Sequence, residues 1–188
     1  MMKNRFLLLI SLFLVQSVFA QQDAGFYFYS QEDMNNIKSS SKTEWGRKIL
    51  KRLDKTIAER EKHSLEIPTL EGGHGHHYFC PVHNTQFVFD WDSPKEHYCT
   101  VCKKKWSGVD KYDWAWVNFV HAANLDYLKA NMYLYLATDK KQYARNIASM
   151  LLDLSRKYPA YKIHDRERKY NPGTSGKLFS QSLDEAVW

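Results

Sequence analysis

The residues best suited to chemistry in this sequence are three cysteines and a histidine, which form two closely spaced pairs. Cys80 is followed three positions later by His83, and Cys99 is followed at the same interval by Cys102. Each pair fits a tight turn that points two ligand atoms the same way, and thiolates with a neutral imidazole suit tetrahedral zinc. The spacing therefore predicts a zinc site of the ribbon or knuckle type.

Four protein ligands leave no open position for a catalytic water, so the pattern predicts a structural zinc. The identity of the fourth ligand stays open, because His77 and His97 lie close to the same cysteines in the sequence. Buried free thiols are the alternative to metal binding. His74, His76 and His77 in "GGHGHHYF" are interpreted as part of a flexible, glycine-rich connection, with metal binding by a His-rich loop as the alternative.

The first twenty residues have the layout of a secretory signal peptide. Lys3 and Arg5 precede an apolar run, and a small residue, Ala20, ends the segment. The run is shorter than the roughly 20 apolar residues that a membrane-spanning helix needs. We therefore predict a signal peptide over residues 1–20, no membrane span, and a secreted or periplasmic protein.

Charge and cysteine count agree with this destination. Removal of the leader takes away two basic residues and no acidic one, so the formal net charge falls from +6 to +4. Such a charge suits an acidic polymer as partner, or solubility alone. Three cysteines cannot all pair within one chain, which in an exported protein favours metal ligation over a disulfide framework. Lys103, Lys104 and Lys105 beside Trp106 fit a nucleic-acid-binding knuckle locally, but the export signal argues against that partner.

Two helices are predicted before residues 73–110, the segment that carries the predicted metal ligands and is called the metal segment below. Ser30 opens a short one, "SQEDMNNIKSSS", and Ser41 with Glu44 forms a capping box for a longer, amphipathic one that ends near His63. Between the two ligand pairs, "TQFVFDW" is strand-like. The metal segment is therefore expected to be a small β-hairpin between helices.

Two further helices are predicted after the metal segment. The first, from Asp113 to about Ala137, is apolar nearly all round, which indicates a helix covered on more than one side. Asp139 is predicted to cap the second, which ends before Pro159. The second has a predicted buried stripe of Tyr143, Ile147, Met150, Leu151 and Leu154.

Some polar residues are open to two interpretations. His121 and Asn124 share one face of the long helix and are interpreted as satisfied core groups, with a cleft-lining pair as the alternative. The stretch "KIHDRERK" is interpreted as a solvated loop, with a polyanion-contacting loop as the alternative. A last helix is expected to start near Ser180, and its apolar end predicts that the chain is a fragment.

The order of these pieces resembles the N-terminal portion of heparinase II/III-type polysaccharide lyases, the group that includes alginate and heparin lyases. The resemblance rests on "HHYFCPVH…FDWDSP…YCTVC", on "YLYLATDKKQYARNIASMLLDLSRKYP" as a helical hairpin with Thr138 and Asp139 at its turn, and on "GKLFSQSLDEAVW". It covers most of the chain after the leader.

The resemblance implies a mainly α fold, an (α/α) toroid of antiparallel helix hairpins, incomplete here, with a small zinc-ribbon-like insertion. The expected divisions are the leader (1–20), an arm with the amphipathic helix (21–72), the insertion (73–110) and the start of the toroid (111–188). It further implies β-elimination on acidic, uronic-acid-containing polysaccharide, with a tyrosine and a histidine as base and acid that follow the matched elements. Gln181 is the one substrate-binding position that carries over. A complete exported, zinc-stabilised helical binding module without catalysis is the alternative.

Overall fold

Four α-helices dominate the chain, whose computed structural model describes residues 29–181. The predicted leader, and all but the start of the expected last helix, lie outside the described residues. No helix within 29–181 is both long enough and apolar enough to cross a membrane. The prediction of a mainly helical chain is confirmed. The helices are α1 (Gln31–Ser41), α2 (Glu44–Arg60), α3 (Asp110–Thr138) and α4 (Lys141–Lys157).

The first two helices begin at side-chain caps. Ser30 caps α1 and forms a reciprocal capping box with Asp33. The predicted cap of α2 at Ser41 is wrong, because Ser41 belongs to the last turn of α1 and its hydroxyl bonds back into that turn. Thr43 caps α2 instead, and its Oγ1 accepts a hydrogen bond of 3.0 Å from the backbone N–H of Gly46. The two helices are thus separated by a sharp two-residue connection.

The long helix α3 is central and pairs with α4 as an antiparallel hairpin. Asn146 donates a side-chain hydrogen bond of 2.9 Å to Asn131 across the pair. The predicted capping of α4 by Asp139 is wrong. Asp139 takes the left-handed conformation, with φ of 57°, that ends α3, and Lys140 precedes α4 without a side-chain cap. The tight hairpin turn needs a left-handed residue, which aspartate tolerates better than most.

Helix α2 lies antiparallel to α3 on another side, so α3 is covered on several faces as predicted. In the predicted stripe of α4, Met150 is buried but Leu151 is 46 % exposed. Only α3 covers α4 extensively in the described residues, and this leaves the outer part of the stripe open. The main core consists of Ile57, Ile67, Tyr127, Ala130, Leu134, Met150, Tyr161, Leu178 and Phe179.

The metal segment forms a small second unit against the first turns of α3. Its two-stranded antiparallel sheet pairs β1 (Glu96–Tyr98) with β2 (Lys105–Ser107). The prediction of a strand in "TQFVFDW" is wrong, because that stretch makes only isolated bridges, from Gln86 to Phe79 and from Val88 to Tyr98. The unit has its own core of Tyr78, Cys80, Phe87, Cys99, Tyr112 and Ala115.

Candidate metal centre

The two predicted ligand pairs lie on two turns of the same design. In the first, the backbone N–H of Asn84 donates to the carbonyl of Cys80 at 2.8 Å. In the second, the N–H of Lys103 donates to the carbonyl of Cys99 at 3.0 Å. Asn84 and Lys103 both take the left-handed conformation, with φ of 47° and 58°. Each turn therefore closes one residue after its second ligand, and both ligands of a pair point the same way.

The four predicted ligands converge. One ligand atom from each of Cys80, His83, Cys99 and Cys102 lies within 4.8 Å of all the others. The Sγ of Cys80 lies 3.6 Å from Nδ1 of His83 and 4.0 Å from Sγ of Cys102. Tetrahedral zinc with ordinary bond lengths places sulfur and nitrogen about 3.6 Å apart and two sulfurs about 3.8 Å apart. The donor set and its spacing fit a tetrahedral metal ion with four protein ligands.

The structure also distinguishes the three candidate histidines. His83 belongs to the one set of convergent metal ligands within residues 29–181, and His77 and His97 do not. His97 is fully buried, and Nε2 lies 2.8 Å from Oδ1 of Asp113. Nδ1 lies 3.2 Å from the hydroxyl oxygen of Tyr78, which also lies 3.3 Å from the carbonyl oxygen of Val88. Both nitrogens of His97 are therefore used in fixing the hairpin.

The four predicted metal ligands differ in how deeply they are buried. Cys80 and Cys99 lie inside the second core, with 1 % and 0 % of their surface exposed, whereas His83 is exposed and Cys102 is half-buried. A metal ion held here is covered by protein on the cysteine side and approached by solvent on the histidine side. Because all four tetrahedral positions are filled by side chains, the site can stabilise the fold but leaves no position for a substrate.

Several contacts attach the metal segment to the helices, and the sequence did not reveal them. Asp113 binds His97 with one carboxylate oxygen and Lys95 with the other, at 2.7 Å. The guanidinium of Arg60 lies over the ring of Trp91 at 4.5 Å, and its Nε donates to the side-chain oxygen of Asn124 at 2.9 Å. These partners are far apart in sequence, so no local pattern identifies them.

Gln181, the predicted substrate-binding residue, lies on the wall of a polar depression of about 500 Å³. Its Nε2 is 3.4 Å from Nδ1 of His74. The glutamine therefore lies beside the His-rich turn, His74, His76 and His77. The other lining residues offer hydroxyl, amide, carboxylate and guanidinium groups: Asp165, Arg166, Glu167, Asn171, Gly173, Thr174 and Ser180.

The loop "KIHDRERK", predicted to be solvated, is anchored on one side. Arg168 has a φ of 62° and pairs with Glu71, while its Nη1 donates to Nε2 of His164 at 2.8 Å. Its guanidinium also lies 4.4 Å from the ring centroid of Trp114. Burial lowers the pKa of His164 below its usual value, in keeping with a neutral ring that accepts from the arginine. The loop therefore presents Arg166 and Glu167 to the depression from a fixed base.

The interpretation as satisfied core groups is confirmed for His121 but only in part for Asn124, whose Nδ2 is buried without a hydrogen-bond partner among the described residues. Nε2 of His121 donates to the carbonyl of Leu70 at 3.1 Å, and Asn124 accepts from Arg60. Burial lowers the pKa of His121 to about 4, so the ring is neutral near pH 7.

No known protein family, curated protein or solved structure matches this chain.

Proposed function

We propose that this chain is the N-terminal portion of an exported enzyme that cleaves uronic-acid-containing polysaccharide by β-elimination. The observation that carries the proposal is the position of Gln181 on the wall of the polar depression, in contact with His74. Gln181, the glutamine that the motif "GKLFSQSLDEAVW" suggested for substrate binding, lies where a polar ligand has room to bind. The resemblance of the sequence to heparinase II/III-type lyases supplies the reaction class.

The lining of the depression offers polar partners for a sugar, and its charged side chains are Arg166 and the two carboxylates of Asp165 and Glu167. Sugar hydroxyls both donate and accept hydrogen bonds, and Gln181, Asn171 and Thr174 can do both in return. The guanidinium of Arg166 suits a uronate carboxylate, because arginine pairs with carboxylates through two parallel hydrogen bonds. A volume of about 500 Å³ lies in the range of about 300–1,000 Å³ typical of small-molecule sites.

In the proposed reaction, a base removes the proton at C5 of the uronate and the C4–O bond to the next sugar breaks. The electron pair forms a C4–C5 double bond, and an acid protonates the departing oxygen. In the family that the chain resembles, the base and acid follow the elements matched here. We therefore assign binding and orientation of the sugar to this chain, and no proton-transfer residue.

The proposed scaffold is the start of an (α/α) toroid. The antiparallel α3–α4 hairpin is its repeating unit, and the outer face of α4 carries Leu151 and Leu152, which are 46 % and 56 % exposed. An apolar helix face of this kind packs against another helix in a toroid. We further propose that the metal of the Cys80 set is zinc, since three thiolates with one imidazole favour that ion.

Binding and catalysis need separate tests. Titration of the chain with alginate, heparin and chondroitin oligosaccharides should show binding, with neutral dextran as the negative control. Gln181→Ala should weaken binding at least tenfold, whereas Gln142→Ala, an exposed glutamine at the start of α4, should not change it. Equal affinities for the two variants would refute the assignment of Gln181.

The lyase itself is tested by the absorbance of unsaturated uronate, measured with residues 21–188 and with a longer chain that contains further helical hairpins. We expect activity only from the longer chain. Activity from neither chain, together with intact oligosaccharide binding, would favour the alternative of a zinc-stabilised binding module. That alternative is supported by the two hydrophobic cores of the described residues.

A further inference from the structure

We propose that the His-rich turn, His74, His76 and His77, binds a divalent transition-metal ion at a second site, separate from the cysteine site. Rings of His74 and His76 have centroids 5.0 Å apart, and those of His74 and His77 are 5.1 Å apart. Two imidazoles bound to one tetrahedral zinc at about 2.1 Å have centroids about 5 Å apart. Two of the three ring pairs thus have the centroid spacing of ligands of a common ion.

The backbone of the turn is fixed before any metal arrives. Residues Gly75–His77 form a 3₁₀ turn, which places His74 and His77, three residues apart, on the same side. The N–H of Gly73 donates to the carbonyl of Trp114 at 2.7 Å, and a Cβ at Gly73 would lie 2.5 Å from Cβ of Trp114. The turn is therefore held tightly against α3 and is more rigid than the flexible connection expected from its glycines.

The three side chains differ in exposure. His76 is exposed, and His74 and His77 are half-buried. Among the described residues only the Cys80 set has all of its ligand atoms within 4.8 Å, so the histidine nitrogens have still to converge. The proposal therefore requires rotation of the imidazole rings about their side-chain bonds.

Gln181 suits the role of an orienting partner. Metal-bound histidines commonly hold their second ring nitrogen in a hydrogen bond to a neighbouring group. The side-chain amide of Gln181 lies 3.4 Å from Nδ1 of His74, so the proposal assigns Nε2 of His74 as the ligand atom.

Charged residues near the turn affect how tightly a metal ion would bind there. Glu167 favours a cation near His77, whereas Lys111 and Arg166 oppose it. Imidazole suits zinc, copper, nickel and cobalt. We therefore expect the second ion to bind more weakly than the ion of the thiolate set and to fill after it.

Cobalt(II) distinguishes the two sites, because only the ion bound to cysteine shows sulfur-to-metal charge-transfer absorption. Titration of the untagged, metal-free chain should show one equivalent with that absorption and a second equivalent without it. The variant His74→Gln/His76→Gln/His77→Gln should bind the second equivalent at least tenfold more weakly and keep the first, whose absorption also reports that the chain is folded. The matched control, His63→Gln, should keep both.

A single equivalent in the unaltered chain would overturn the proposal, as would a second equivalent that survives the triple substitution. If the triple variant loses both equivalents, the single variant His76→Gln decides, since that exposed side chain is the least able to disturb folding. An unchanged second equivalent in His76→Gln would then refute the site. None of these readouts depends on lyase activity or on sugar binding.

Discussion

Nε2 of His97 lies 2.8 Å from a carboxylate oxygen of Asp113, and this buried contact joins the metal-bearing hairpin to the first turn of α3. His97 is two residues before the ligand Cys99, and Asp113 is 6 % exposed. The contact fixes the turn that carries Cys99 and Cys102 against the central helix α3. It leads us to expect that metal binding and the stability of the helical layer are linked.

Replacement of Asp113 by asparagine should destabilise the chain. The two carboxylate oxygens of Asp113 accept hydrogen bonds from His97 and Lys95. The amide of asparagine has only one oxygen, so its NH2 group would face one of these two donors. We expect a loss of about 1–3 kcal/mol in the free energy of unfolding, measured by urea titration of the metal-loaded chain. Asp126→Asn, on an exposed position of the same helix, is the control and should change it by less than about 0.5 kcal/mol.

Replacement of Cys99 by serine should abolish tight metal binding. The purified chain is expected to carry about one zinc per molecule, and loss of one thiolate from a four-ligand site removes most of its affinity. Elemental analysis after dialysis measures the zinc content. Thr100→Ala changes an exposed residue inside the same turn and should leave the zinc in place. Full metal retention by Cys99→Ser would count against the assigned ligands.

Arg60 and Asn124 should be coupled in a double-mutant cycle. Arg60 is 4 % exposed and pairs with no carboxylate within residues 29–181. Its guanidinium is stabilised instead by a hydrogen bond to Asn124 and a cation–π contact with Trp91. Arg60→Met leaves the oxygen of Asn124 buried without a donor, and we expect a cost of about 1–3 kcal/mol.

The double substitution Arg60→Met/Asn124→Leu should recover part of that loss, because it removes both polar partners together. Urea unfolding of the two single variants and the double variant gives the coupling energy. Arg52→Met, on the exposed face of α2, is the matched control. Strictly additive effects of the two substitutions would contradict a direct interaction.

Stability should fall in acid partly because of His121. Burial lowers its pKa in the folded chain to about 4, below the ordinary value of 6.5. The unfolded chain therefore takes up a proton first as the pH falls. The contribution of His121 is fully present above about pH 6.5 and is lost progressively between about pH 6.5 and 4.

His121→Gln keeps a donor for the carbonyl of Leu70 and removes the titration, so its stability should depend less steeply on pH in that window. Thermal unfolding of the variant and the unaltered chain at a series of pH values measures the difference. His63→Gln, at a half-buried position outside this contact, serves as control. Parallel curves for His121→Gln and the unaltered chain would show that another group dominates the acid response.

The sequence by itself determined the features that local chemistry controls. The C-x2-H and C-x2-C spacings specify turns that bring two ligands together, and the structure confirms that all four ligand atoms converge. The periodicity of apolar residues located the four helices to within a few positions. The start of α1 at Ser30 was also predicted correctly, whereas the equally local capping box predicted at Ser41 was not.

Tertiary structure decided whatever depends on residues distant in sequence. The choice of His83 over His97 follows from Asp113 and Tyr78, which take both nitrogens of His97. The His-rich turn is rigid because Gly73 packs against Trp114, although the glycines alone predicted flexibility. Asp139 ends one helix instead of starting the next, since the packing of α3 against α4 requires a left-handed residue at the turn. Spacing along a chain specifies local turns, but the partner of a buried charge or imidazole is fixed only when separate elements pack together.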